Sequence, residues 1–238
     1  MRRNESDRHR PLVVRGCTRT RLARRRIRPC SGRIETKRWT IIAAAFAGMV
    51  GPPLFGTVLL VLSVLEYDFM LGIGWRPVAD PAGAWPSGLT LGPYGSLQVA
   101  NFVVSGLLMA SFALGLHLGA TNGRGSPFGP ALLFTAGTAM VHMGFETDPI
   151  RRIGPRSLHG LIHDAAFVIF VLAFLAALFS LWRRFEAAPR WRGHARYTLA
   201  TGITAVLLLL LPGVAYYLFI LTLLAWIKVT AIRLWRLS

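Results

Sequence analysis

Charged side chains are scarce in this sequence. Only 16% of its 238 residues are charged, where a soluble domain carries about 25%. Lysine occurs only as Lys37 and Lys228, and acids number ten in the whole chain. Cysteine occurs only as Cys17 and Cys30. That excludes a disulfide framework from residues 40–238, and the pair lacks the companion His or Cys residues of a zinc site. No Walker loop, dinucleotide fingerprint or Ser-nucleophile elbow is present, which removes the commonest nucleotide-dependent and hydrolase signatures. No internal repeat is evident. A conventional signal peptide is also missing, because the basic N-terminal region is too long and no small-residue cleavage site follows a short apolar core.

Apolar residues are abundant, at 53% of the chain. They collect into runs over 40–65, 97–120, 128–145 and 158–182. As helices rising about 1.5 Å per residue, these runs suit a hydrocarbon core of about 30 Å. Residues 197–234 are too long for one crossing, so the chain is expected to fold back at Pro212-Gly213 into helices over 197–211 and 214–234. Gly51-Pro52-Pro53 is expected to kink the first helix. The fold class that follows is all-α, a six-helix transmembrane bundle over 40–236. The basic segment 1–39 precedes it as a largely disordered tail.

The charges that remain are placed unevenly. Residues 1–39 hold fourteen of the 27 Lys and Arg but three of the ten acids. Segment 183–196 holds five arginines and one Glu, and Arg124, Arg233 and Arg236 fall on the same side of the six-span scheme. Both termini are therefore cytoplasmic by the positive-inside rule, in a multi-pass protein of the cell (cytoplasmic) membrane. The net charge of +17 has the same explanation. The expected partners are the lipid bilayer and, at the tail, anionic lipids, with no nucleic acid.

Depth then follows from the spans. His142 lies about 5 Å and His163 about 8 Å inside the outer face, and His159 lies at the mouth. His159 and His163 are four apart and share one face of their helix. Glu66, Gln98, Asn101, Asp164 and Tyr216 reach the same level, with Asp148 in the loop above His142. His117 and His194 lie on the other side. The aromatics of segment 66–96, which is rich in Gly, Pro and Trp, are placed either to line the membrane interface or to cover the bundle's outer mouth. On α-helical spacing, Ser111, Gly115 and Gly119 form a small-residue stripe that predicts close helix contact.

Several readings of the outer polar layer stay open. In the plainest, these groups sit at helix ends, solvated by water and headgroups, with Ser157 as an N-cap and Asp148-Pro149 as a turn. In a second, they form a His/Asp pocket that binds a lipid headgroup or small ligand. In a third, His159, His163 and Asp148, with His142 as a further candidate, hold a divalent metal for a membrane hydrolase that uses water as nucleophile. The stretch after His159 lacks the Glu of zinc proteases. In a fourth, the same set serves a small transporter or proton relay. Haem held by His142 and His163 ranks below a metal ion, because helices packed about 8–10 Å apart leave little room for a macrocycle.

Two stretches are familiar. "LGPYGSLQVANFVVSGLLMASFALGL" (91–116) and "FETDPIRRIGPRSLHGLIHDAAFVIFVLAFL" (145–175) resemble the bacterial membrane-protein family called domain of unknown function 998. The positions that carry the likeness are Gly92, Gly95, Gln98, Asn101, Phe102, Asp148, Pro149, His159, Gly160 and His163. The resemblance covers roughly residues 41–236. It implies about six spans and places the outer-layer positions within a family pattern, without His142. It implies no activity.

Overall fold

The computed structural model describes residues 31–79, 85–119, 126–150, 153–211 and 213–238, and side chains from residue 35 onward. Among these residues all regular structure is helical. Six long helices are α1 (Ser31–Leu65), α3 (Gly95–Gly119), α4 (Phe128–His142), α5 (Leu158–Glu186), α6 (Arg192–Leu209) and α7 (Ala215–Leu237). A short helix, α2 (Tyr67–Gly72), and a 3-10 turn (Pro86–Leu91) fold the segment between α1 and α3. α1 begins at Ser31, so its first turns use the end of the basic tail. The rest of that tail (1–30), with Cys17 and Cys30, lies outside the described residues, as do Arg124 and Pro212. The expected fold-back falls where it was placed, with Gly213 in the left-handed region at φ 70°.

The helices alternate in direction and close into a ring in the order α1, α3, α4, α5, α6, α7 and back to α1. One end, here termed the rim, carries residues 66–94, 143–157 and 210–214. The outside of the ring is apolar: Leu60, Leu107, Leu172, Leu207 and Leu221 are all more than half exposed. Four helices (α1 from Glu35, α3, α5 and α7) are long and apolar enough to cross a membrane. α4 and α6 are shorter, about 22 and 27 Å at 1.5 Å per residue. With an apolar exterior and several spanning helices, the chain is a multi-pass integral membrane protein.

In lipid, helices associate through close packing and hydrogen bonds rather than exclusion of water. Small residues provide that packing here. A Cβ on Gly106 of α3 would lie 2.6 Å from the Gly137 carbonyl oxygen of α4, and one on Gly137 would lie 2.7 Å from the Ala110 nitrogen. Of the predicted stripe, Gly115 meets Ala44 and Gly119 meets Ile41 on α1. Ser111 faces outward and returns its hydroxyl to the Leu107 carbonyl, at 2.8 Å.

α1 continues through Pro52-Pro53 rather than ending there. The two prolines leave the Gly48 and Met49 carbonyls without their usual helical donors.

The end opposite the rim is closed. A Cβ on Gly48 would lie 2.6 Å from Phe112 and 2.8 Å from Ala231, and one on Gly119 would lie 2.6 Å from Leu234. These contacts draw α1, α3 and α7 together. His194 there pairs with Thr230 (Nε2 to Oγ1, 2.9 Å), and Trp226 Nε1 donates to Thr198 Oγ1 at 3.1 Å, tying α6 to α7. Arg184 donates to the Ser126 and His117 carbonyls, joining α5 to the segment between α3 and α4. The ring is pinned at one end and has room at the other.

Candidate functional site

That room is a cavity of about 470 Å³. Phe55 (α1), Met109 (α3), Met140 (α4), Phe174 (α5) and Leu223 (α7) supply its walls, and no described residue of α6 lines it. Its polar lining gathers at the rim: Ser87, Thr147, Asp148, Arg156, His163, Asp164 and Tyr216. Size and composition match small-molecule sites, which run to about 300–1,000 Å³ and are mostly apolar with a few placed polar groups.

Two loops form the rim, and each is held by a carboxylate. Glu66, at the end of α1, is 3% exposed. Its Oε1 accepts from the Tyr94 backbone nitrogen at 2.6 Å, just before α3 begins. A negative charge is favoured at a helix N-terminus, where backbone N–H groups lack partners. A Cβ on Gly92 would run into this carboxylate, and one on Gly95 would run into the Thr90 carbonyl.

The second loop is held by Asp148. Its oxygens accept from the Ser157 nitrogen at 3.2 and 3.3 Å. Ser157 is the N-cap of α5 and accepts from the Gly160 nitrogen at 2.9 Å. Gly160 packs directly on the Asp148 carboxylate, which a Cβ would displace. His163 is 3% exposed, and its Nδ1 donates to the Phe145 carbonyl at 2.9 Å. That bond ties α5 to the chain leaving α4. It also requires a proton on Nδ1, because a carbonyl oxygen can only accept. Thr147 N donates to Thr90 Oγ1 at 3.4 Å and joins the two loops.

The other candidate residues are placed as follows. Gln98 and Asn101 are buried on α3 outside the cavity lining. Asn101 Nδ2 donates to the Phe55 carbonyl of α1 at 3.2 Å and to Gln98 Oε1 at 3.3 Å, and Ser105 Oγ donates to Asn101 Oδ1 at 3.4 Å. They serve the α1–α3 packing, as Glu66 does at its end. His142 is exposed, with Nδ1 on its own helix's Thr138 carbonyl at 2.8 Å. His159 is exposed too. The phenyl ring of Phe145 touches both, with centroids 6.5 Å from His142 and 5.7 Å from His159.

His163 turns toward Phe102 instead. Among the described residues no group of three or more His, Cys, Asp or Glu could hold a metal ion. Of the three imidazoles that share a depth in the sequence, His142 and His159 flank Phe145 at the exterior and His163 turns inward. Asp148, His163, Asp164 and Tyr216 are the candidates that do meet, around the cavity mouth.

Two features define the mouth. Arg156 pairs with Asp164, the two side chains 47% and 45% exposed. α5 brings Asp164 back toward the loop two turns after Ser157. Arg151 and Arg152 lie outside the described residues. The other feature is an aromatic lid. Trp85 packs on Phe167 of α5 and Tyr216 of α7, with ring centroids 5.2 and 4.5 Å away. Trp75 Nε1 donates to the Tyr217 hydroxyl at 2.8 Å, which fastens the same segment to α7. Of the two tryptophans, Trp85 lines the cavity, in line with one of the two places expected for the aromatics of 66–96.

The family described as "Protein of unknown function (DUF998)" matches residues 49–233. The chain belongs to this family. No curated protein and no solved structure matches it. In this DUF998 chain several of the positions that carry the resemblance hold the rim loops, while Gln98 and Asn101 pack α3 on α1. Gly92 and Gly95 admit a carboxylate and a carbonyl. Asp148 and Gly160 fit each other, and His163 secures the loop from α4.

Proposed function

We propose that this DUF998 protein is a six-span protein of the cytoplasmic membrane, with both termini on the cytoplasmic side, that binds an amphipathic ligand. The ligand's apolar part occupies the cavity and its polar end lies at the rim. The observation that carries this reading is the polarity of the cavity, which is apolar along its depth and charged only at its mouth. Orientation is supported by Arg183, Arg190, Arg192, Arg196 and Arg236, all exposed at the end opposite the rim. α4 and α6, though short, span if the bilayer thins around them, at a modest cost. The rim then faces outward. The donor set favours no bound metal, so the hydrolase reading gains no support from the geometry.

The test is lipid retention. Purified full-length protein is extracted with organic solvent and the co-purified amphiphiles are measured by mass spectrometry. Leu223→Trp and Met109→Trp put an indole into the cavity and are expected to reduce retained amphiphile severalfold while the helical circular dichroism stays intact. Equal retention in folded variants refutes the reading.

A further inference from the structure

The buried part of the cavity lining narrows the occupant further than the charged mouth does. We infer that the ligand is a phenolic amphiphile, an aromatic ring that carries a hydroxyl at one end and an alkyl tail at the other. The inference rests on the amphiphile reading and adds the chemical class of the head.

The hydroxyl follows from His163. The ionic groups at the mouth are already engaged: Arg156 pairs with Asp164, and Asp148 accepts from the Ser157 nitrogen. Among the described residues His163 is the one polar side chain of the lining that is buried, at 3% exposed. Its Nδ1 donates to the Phe145 carbonyl at 2.9 Å, and its Nε2 has no hydrogen-bonding partner among the described residues. A buried polar atom left unmatched is costly, so the site favours a ligand atom that completes the bond. With Nδ1 protonated, Nε2 accepts when the ring is neutral and donates when it is an imidazolium. A hydroxyl both donates and accepts, so it answers either form. It also brings no charge into a space bounded mainly by apolar side chains.

The ring follows from the walls. Two groups of aromatic side chains line the cavity. In one, Phe102 lies between Phe55 and the His163 imidazole, with ring centroids 5.8 and 5.9 Å away. In the other, Tyr216 lies between Trp85 and Phe219, at 4.5 and 5.9 Å, and Phe167 packs on Trp85 and Tyr216. Aromatic pairs gain from offset or edge contact beyond the area they bury. A saturated chain against the same walls gains the area alone. Phe167 stands one turn from His163 on the same face of α5. A flat ring held by its hydroxyl at His163 therefore begins in the first group and reaches the second. Met109, Met140, Leu223 and Ile227 also line the cavity and suit an alkyl tail.

The test uses the full chain in phosphatidylcholine nanodiscs, dialysed against empty discs so that partition into lipid cancels. The probes are 4-nonylphenol, nonylbenzene, which lacks the hydroxyl, and 4-nonylcyclohexanol, which lacks the flat ring. Excess probe in the protein discs is measured by gas chromatography and mass spectrometry. 4-Nonylphenol is expected to bind about fivefold tighter than nonylbenzene, the ordinary net worth of one hydrogen bond. It should bind about tenfold tighter than 4-nonylcyclohexanol, from two aromatic contacts. His163→Asn keeps an amide near Nδ1 and has nothing at Nε2, so it should bind 4-nonylphenol and nonylbenzene alike. His163→Gln places an amide near Nε2 and loses the Nδ1 bond, so it should melt lower yet still prefer the phenol. Misfolding cannot produce that crossed pattern.

Equal binding of 4-nonylphenol and nonylbenzene overturns the hydroxyl anchor, as does a preference kept in His163→Asn or lost in His163→Gln. Equal binding of 4-nonylphenol and 4-nonylcyclohexanol overturns the ring. No excess of any probe overturns the phenolic class altogether. In that case the amphiphile reading survives if Leu223→Trp still lowers lipid retention, and falls as well if retention is unchanged.

Discussion

Gly160→Ala should change sign with the residue at position 148. The added methyl would sit 2.6 Å from Asp148 Cγ and 3.0 Å from its Oδ1. Ordinary contact needs about 1 Å more, so the carboxylate must move. Its bonds to the Ser157 nitrogen are already long, at 3.2 and 3.3 Å, and such a movement breaks them. Losing hydrogen bonds to a charged group costs about 1.5–3 kcal/mol. Against that, Ala in place of a helical Gly gains at most about 1 kcal/mol. The net is a loss of roughly 1–2 kcal/mol, or a melting point lower by several degrees at about 2–4 °C per kcal/mol.

In Asp148→Ala the obstacle is gone and the propensity gain remains, so Gly160→Ala should raise the melting point in that background. Thermal melts of the four proteins in one detergent, followed by circular dichroism, complete the double-mutant cycle, with a coupling of about 2 kcal/mol. Additive effects would show that Gly160 and Asp148 do not meet, and the account of the rim would fall with that contact.

Three other outcomes follow from the same geometry. Gly106→Ala should cost about 1–3 kcal/mol by overpacking, and truncating a neighbouring side chain will not rescue it fully, because the nearest obstacle is the Gly137 carbonyl; a melting point within a degree of the parent contradicts this. His163→Leu leaves the Phe145 carbonyl without its donor and should cost about 1–3 kcal/mol, whereas His163→Asn, with an amide N–H near the Nδ1 position, should recover part of it in the same melt. With Cys17 and Cys30 replaced by serine, a cysteine at the fully exposed Ile153 should react with an impermeant maleimide on intact cells, and one at Ala187 only after lysis; the reverse pattern inverts the orientation.

How much was legible in the sequence depended on the range of each signal. Helix positions were, because long apolar runs and a Pro-Gly turn are local: observed helices start within five residues of the expected ones except α1, whose basic first turns carry no apolar signal. The Ser157 cap was legible for the same reason. The destination of the side chains was not. Depth along a helix is set by a fixed rise, so His142, His159 and His163 were correctly drawn to one end. Direction around the axis depends on which neighbour each helix packs against, and that is fixed by contacts such as Gly106 on Gly137, far apart in sequence. Arg156 and Asp164 were both visible, but their pairing needed the loop's path. The cavity is legible least of all, since its walls come from five helices far apart in sequence.

The arrangement also bears on what the family pattern means. A motif with two histidines four apart and an aspartate nearby invites a catalytic reading. Here Asp148 is occupied in capping α5, Gly160 makes room for it, and His163 holds a carbonyl, so each has a structural duty that substitution would expose in the melting point. Arg156 and Asp164, paired with each other at the cavity mouth, carry no such packing duty. A protein built this way needs the motif residues to keep two loops apart above an apolar space. Loss of stability is therefore the signature expected of Asp148 and Gly160 variants.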